Sequence, residues 1–410
     1  MLKQIKPAAA KKAPGIRRSI MTFASLGFVG ALSITSWGAL SPVRKPVAAA
    51  APTINLKNWG LANTQAKSHI SILDAWKISE GSKDIVVAVI DTGVDSTHPD
   101  LAANMWQDPS APVVPVGKAR VRVAAASVGA GSAPFKTRVY GWNFVNDQAN
   151  PLDDHGHGTH VAGIIGAVTN SKTGVSGVAK KVSIMGVKYY SDANPGAVNL
   201  RNTVKAINYA VDHGARIINY SGGGPEFSED EYLAIKRAEA KGVLFISAAG
   251  NEHQDTDLVE NYYYPSAYRL SNIISVAATD INNQLLKSSN WGKTRVDVAA
   301  PGENIFSTLP NGRYGYMTGT SQATAFVTGL AALLLSKDPS LTPVQVKQII
   351  TASVDKLSNL EGKLATGGRV NAAAALEALM ARKKAPSILA DKQISAPTAL
   401  ISAPSAAMAN

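Results

Sequence analysis

Four short stretches of this sequence each set a side chain capable of chemistry beside small residues. Asp91-Thr92-Gly93 follows a β-branched run. A carboxylate there is well placed to orient a histidine, although Asp-x-Gly is also common in turns. His155-Gly156-His157-Gly158-Thr159-His160 opens an apolar small-residue stretch. Its histidines are spaced by two and three with no acid between them, unlike the zinc-protease helix, whose two histidines lie four apart around a glutamate. The pattern fits a helix-start histidine presented to a cleft as a general base. Gly319-Thr320-Ser321 runs into an almost wholly apolar helix. Ser321 there is either a helix cap or a hydroxyl set beside the free amides and positive helix end that suit an oxyanion. Ser247-Ala248-Ala249-Gly250-Asn251-Glu252 closes another apolar run. Asn251 reads as a turn residue or as an amide donor to the same oxyanion. Singly, each structural reading is credible; jointly they are not.

The elements that must hold these residues alternate. Apolar β-branched runs recur at Ile85–Ile90, Val182–Val187, Arg216–Tyr220, Val243–Ile246, Ile273–Ala277 and Val296–Ala299. Helical stretches lie between them at His157–Val168, Leu200–His213 and Ser228–Lys241. Strands without a polar face, alternating with helices, predict a three-layer α/β fold: a mostly parallel sheet covered on both sides. Sites in such folds form beyond the carboxyl ends of the strands, where Asp91 and Asn251 stand.

The order of the four motifs, Asp-Thr-Gly, His-Gly-Thr-His, Ala-Gly-Asn and Gly-Thr-Ser, resembles that of the subtilisin-like serine proteases, or subtilases, in the style of their thermitase-like bacterial members. The resemblance covers about residues 53–381. It implies a serine endopeptidase acting on proteins or peptides, with Asp91, His157 and Ser321 as triad and Asn251 as oxyanion donor. His155 and His160 do not match the catalytic position. Ser221, Gly222 and Gly223 resemble the strand edge that pairs with substrate, with Ala248, Ala249 and Gly250 across the pocket. Asp255, Asp257 and Glu260 read as a solvated acidic loop, with a basic P1 preference as the alternative. Around the nucleophile this chain carries Gln322, Ala325 and Phe326 at variable positions, and only a short segment stands where many relatives carry a pro-domain. A structural Ca²⁺ is implied at Asp100 and Asn170; Gln65 is a further guess, and Ser171 stands where an asparagine is usual. The run Asn150–Asp154 reads as an acidic turn rather than a second ion site. The rival from another class is a catalytically degenerate subtilase serving as a peptide-binding or scaffold protein, which four intact motifs argue against. A subtilase acting mainly as a peptide ligase is a second rival.

Charge excludes one class of partner. Of 41 Lys and Arg residues, eight lie in residues 1–50, which hold no acid, and the remainder shows 33 bases against 29 acids. The formal charge of +12 therefore belongs largely to the ends, and gives no support for a nucleic-acid surface. The absence of cysteine excludes disulfides, cysteine nucleophiles and thiolate metal sites. A basic region ending at Arg17-Arg18, the apolar stretch Met21–Leu40 and small residues after it predict a secretory signal peptide and export, with retention as a membrane anchor through residues 19–43 as the alternative. The expected division is a signal or anchor with a short pro-segment (1–50), a catalytic domain (51–381) that works as a monomer, and a disordered tail (382–410). Residues 107–138 read as an insertion loop.

Overall fold

The structure, a computed structural model, describes residues 57–62, 67–111, 113–114, 135–136, 138–168 and 174–393. Gln65, Asn170 and Ser171, most of the 107–138 insertion, the N-terminal segment through residue 56 and residues 394–410 lie outside them. The strands are β1 (Gly81–Asp91), β2 (Val113–Val114), β3 (Phe135–Lys136), β4 (Gly141–Asn143), β5 (Lys181–Lys188), β6 (Ile217–Tyr220), β7 (Leu244–Ala248), β8 (Ile273–Thr279), β9 (Val298–Pro301), β10 (Ile305–Leu309), β11 (Arg313–Met317), β12 (Asp355–Lys356) and β13 (Gly368–Arg369). The helices are α1 (Ile72–Ile78), α2 (His157–Gly166), α3 (Gly196–Asp212), α4 (Glu229–Ala240), α5 (Thr320–Lys337), α6 (Pro343–Ala352) and α7 (Ala372–Gln393).

One sheet runs β12-β13-β9-β8-β7-β6-β1-β5-β4. Its strands are parallel except for β12 against β13. Alternate residues of β1 divide the interior. Val87 and Val89 join α2, α5 and α7 on one face, while Ala88 and Ile90 join α3 and α4 on the other. Both faces are thus buried, which is why these strands read as unbroken apolar runs. The result is the expected three-layer α/β fold.

Helix α5 lies almost entirely within the interior, buried from Thr320 to Leu335, and packs on β1, β6, β7, β8 and β9. Each large apolar side chain along it, such as Phe326 or Leu330, contributes about 1.5–3 kcal/mol by leaving water. A helix so constrained holds its first turn in a fixed place over the strand ends.

Three features go beyond what the sequence predicts. The insertion carries a short antiparallel pair, β2 with β3. Helix α7 runs on to Gln393, so the segment expected to begin a disordered tail at residue 382 starts as helix. The hairpin of β10 and β11, unforeseen from sequence, packs on α2.

Candidate active site

Parallel pairing puts the carboxyl ends of β1, β6 and β7 at one edge of the sheet, and the chain changes direction about β1, whose two neighbours are β5 and β6. That edge is where an open α/β sheet leaves a crevice. Asp91 ends β1, Ser221 follows β6, and Asn251 follows β7 within three residues.

Asp91 is 3% exposed. Its Oδ1 accepts from the Thr92 backbone N–H at 2.7 Å and lies 2.7 Å from His157 Nδ1. The histidine reaches it because α2 is anchored to the end of β1. Thr92 Oγ1 accepts from the Gly158 N–H at 3.0 Å and donates to Asp153 Oδ1 at 2.9 Å. Asp153, buried, accepts from the N–H groups of His155, Gly156 and Thr159 and from the Thr159 hydroxyl. Asp153 and Thr92 together thus satisfy the N–H groups of Gly156, Gly158 and Thr159 at the start of α2, and the carboxylate's charge suits the positive helix end. The run Asn150–Asp154 is accordingly a capping turn.

Close approach requires glycine at position 158. A Cβ there would lie 2.1 Å from the Gly93 carbonyl oxygen and 3.0 Å from Asp91 Cβ. Any larger residue would push the histidine helix away from the carboxylate.

The His157 side chain keeps 23% of its surface exposed. Burial works against its charged form, but the charge and hydrogen bond of Asp91, with the charge of Asp153, outweigh it and hold its pKa above the ordinary 6.5. His160 goes the other way: burial and the nearby His157 push it down to about 4, and its Nε2 faces the carbonyls of Ile305 and Gly315. His160 is a neutral structural residue joining α2 to the β10–β11 hairpin. His155 is exposed, edge-on to His157.

Ser321 occupies the first turn of α5. Its Oγ donates to the Ser221 carbonyl at 3.0 Å, and Ser221 Oγ donates back to the Ser321 carbonyl at 3.1 Å. Asn251 turns its Oδ1 to the same helix start, accepting from the Thr320 N–H at 2.9 Å and the Thr320 hydroxyl at 3.2 Å. Its Nδ2 is left as the donor end. Gly319, with φ of 156°, places its Cα where a Cβ would stand 3.4 Å from Asn251 Oδ1.

Beyond Ser221, Gly224 exchanges backbone hydrogen bonds with Tyr264, and the half-buried Gly222 and exposed Gly223 form the edge before it. Across the cleft, Ala249 and Gly250 are fixed by Asn290, which donates to the Ala249 carbonyl and accepts from the N–H groups of Glu252 and Gln254. Two acids of the loop bond within the protein: Asp257 binds the Thr294 N–H and hydroxyl, and Asp255 binds the Asp257 N–H, while Glu260 is exposed.

Asp100 is buried, with Oδ2 accepting from the Val175 N–H and the Tyr314 hydroxyl. Among the described residues no group of three or more His, Asp or Glu side chains gathers as a metal site.

The anchoring residues Thr92, Asp153 and Thr320 were missed from sequence, as was Lys188. This lysine is 1% exposed at the end of β5 and donates to the Thr92 carbonyl at 2.6 Å and to Asp154 at 2.8 Å. The signal for Asp153 was present in its place four residues before His157.

Residues 82–371 match the model of the subtilase family. The chain is 37% identical over 303 residues to thermitase of Thermoactinomyces vulgaris, covering 74% of this chain and 92% of that protein. It is 35% identical over 277 residues to subtilisin E of Bacillus subtilis (strain 168), covering 67% of this chain and 62% of the relative. Its fold is similar to that of a cold adapted subtilisin-like serine proteinase, with a TM-score of 0.54 and 28% identity over 75% of this chain and 90% of that one. With an aspartate-held histidine, a helix-start serine and an asparagine gathered at the strand ends, the chain belongs to the subtilase family.

Proposed function

We propose that this serine endopeptidase works through Ser321 as nucleophile, His157 as general base, Asp91 as the orienting carboxylate and Asn251 as oxyanion donor. The observation that carries the reading is the 2.7 Å contact of His157 Nδ1 with Asp91 Oδ1. It commits Nδ1 as a donor and leaves Nε2 to take a proton. Ser321 Oγ attacks the scissile carbonyl carbon as its proton passes to His157 Nε2, and Asp91 stabilises the imidazolium. The oxyanion accepts from the Asn251 side-chain amide and the Ser321 backbone N–H. His157 then gives the proton to the leaving amine. Water, deprotonated by His157, then attacks the acyl carbon, and His157 returns that proton to Ser321 Oγ as the acyl C–Oγ bond breaks, releasing the carboxylic product and restoring the serine. The peptide lies as an added strand along Ser221, Gly222 and Gly223, with Ala248, Ala249 and Gly250 across the pocket. Ser321→Ala should abolish casein hydrolysis; undiminished hydrolysis by that variant would sink the assignment.

Three further parts of the reading rest on sequence and resemblance. The protein acts as an exported monomer released by cleavage of its N-terminal signal, rather than one tethered through residues 19–43. Mass spectrometry of the mature N-terminus tests the export, and light scattering the oligomeric state. A structural calcium ion is held at Asp100 and Asn170; a melting temperature unchanged by chelation would count against it.

A further inference from the structure

Beside the open edge lies a cavity of about 260 Å³, small enough for one side chain rather than a drug-sized ligand. Tyr189, Tyr190, Tyr220 and Tyr264 line it together with Glu226 and Glu231, and no lysine or arginine among the described residues does.

Glu231 is 3% exposed and is the third residue of α4. That is the position of a capping-box glutamate, yet the carboxylate is not used for the cap. Ser228 Oγ accepts from the Glu231 N–H, but the Ser228 N–H donates to Tyr268 Oη, and Glu231 Oε2 lies 2.9 Å from that same hydroxyl. Burial pushes the Glu231 carboxyl up to about 7 against the Tyr268 hydrogen bond, which lowers it. A buried carboxylate with no cation beside it is costly. Carboxylates grouped with tyrosine faces suit a cation, through charge-assisted hydrogen bonds and ring quadrupoles together.

The cavity's position decides which part of a substrate meets it. Ser321 Oγ rests on the Ser221 carbonyl, so the peptide residue whose carbonyl is attacked lies opposite Ser221. Gly223 and Gly224 wall the cavity, and Gly224 is three residues on, about 10 Å at strand rise. In antiparallel addition, the commoner sense of strand pairing, the residue three before the attacked one comes opposite Gly224.

We infer that this cavity selects a lysine or arginine side chain three residues before the attacked residue, with Glu231 as the specificity-determining carboxylate and Glu226 at the rim. The inference rests on the proteolytic reading of Ser321. Its test is a set of otherwise neutral decapeptides in which a single lysine is walked along the positions before the scissile bond, with leucine as the comparison, at pH 8. The wild-type protein should prefer lysine over leucine in kcat/KM by about tenfold or more at that position alone. Glu231→Gln should abolish most of this preference, and Glu226→Gln should reduce it less. Equal cleavage or a leucine preference in the wild-type protein would overturn the inference, as would a preference unchanged in Glu231→Gln. If Glu231→Gln does not fold, the wild-type scan and Glu226→Gln decide. Failure of the wild-type protein to cut any of the peptides would instead overturn the proteolytic reading on which the inference stands.

Discussion

Ser321 and Ser221 hold each other through two crossed hydrogen bonds, each hydroxyl donating to the other's carbonyl at 3.0 and 3.1 Å. The proposed nucleophile is thus fastened to the strand edge along which the peptide is proposed to lie. The bond holding its hydroxyl ends on a main-chain oxygen, which no side-chain substitution removes. Ser221→Ala deletes the return bond and the bond its hydroxyl accepts from the buried Asn219 Nδ2 at 3.1 Å, and should cost about 1–3 kcal/mol of stability but less than about tenfold in kcat. Steady-state kinetics and thermal melting check this; a kcat loss as deep as that of Ser321→Ala would contradict it.

Asn251 spends its oxygen on Thr320, so its donor end is aimed by the helix that carries Ser321. Asn251→Ala should lower kcat by about 10²–10³, the cost of removing such a donor in a related enzyme, with little change in KM. A change confined to KM would mean that Asn251 binds substrate without stabilising the oxyanion.

His157 must be neutral to accept a proton, so kcat/KM rises with pH through its pKa. Asp91 and Asp153 hold that pKa above 6.5, and the acid limb of the profile should lie there. Asp153→Asn removes one of the two raising charges and should move the limb to lower pH. It should also cost about 1 kcal/mol from the weakened start of α2. An unmoved limb in a folded, destabilised variant would confine Asp153 to a capping role.

Lys188 and Asp154 form a lopsided pair, with side chains 2% and 71% exposed. Removing Asp154 strands a buried ammonium, whereas removing Lys188 leaves a carboxylate already in water. Asp154→Ala should therefore destabilise the protein more than Lys188→Met. Denaturant melts of the two variants give the order directly, and the reverse order would show that the lysine's bond to the Thr92 carbonyl dominates.

Much of the fold was legible because its signals are local. The run through Val87, Ala88, Val89 and Ile90 reads as a strand buried on both faces, and Asp91 is where it must stop being apolar. The helix starts at His157 and Thr320 are marked by the small residues before them. What was not legible depends on distant partners. Thr92 and Asp153 are 61 positions apart, and neither residue alone announces that together they cap α2. Lys188 looks like the polar end of a strand, and only its neighbours Thr92 and Asp154 make it a buried cation. Glu231 sits in a charged run, Glu229-Asp230-Glu231, that reads as the exposed first turn of a helix; Tyr268 and the tyrosine-lined cavity bury it. The 382–393 segment shows the opposite error, since its proline-bearing composition hides a continuation of α7.

The proposed catalysis depends most on Ser321 being activated by His157, and covalent labelling reads this without a substrate. Treated with a fluorophosphonate and digested, the protein should carry the adduct on the peptide containing Ser321. The His157→Ala variant should label slower by orders of magnitude while melting as a folded protein. Absence of label on Ser321 in the wild-type protein, or equal labelling of the His157→Ala variant, would contradict the account.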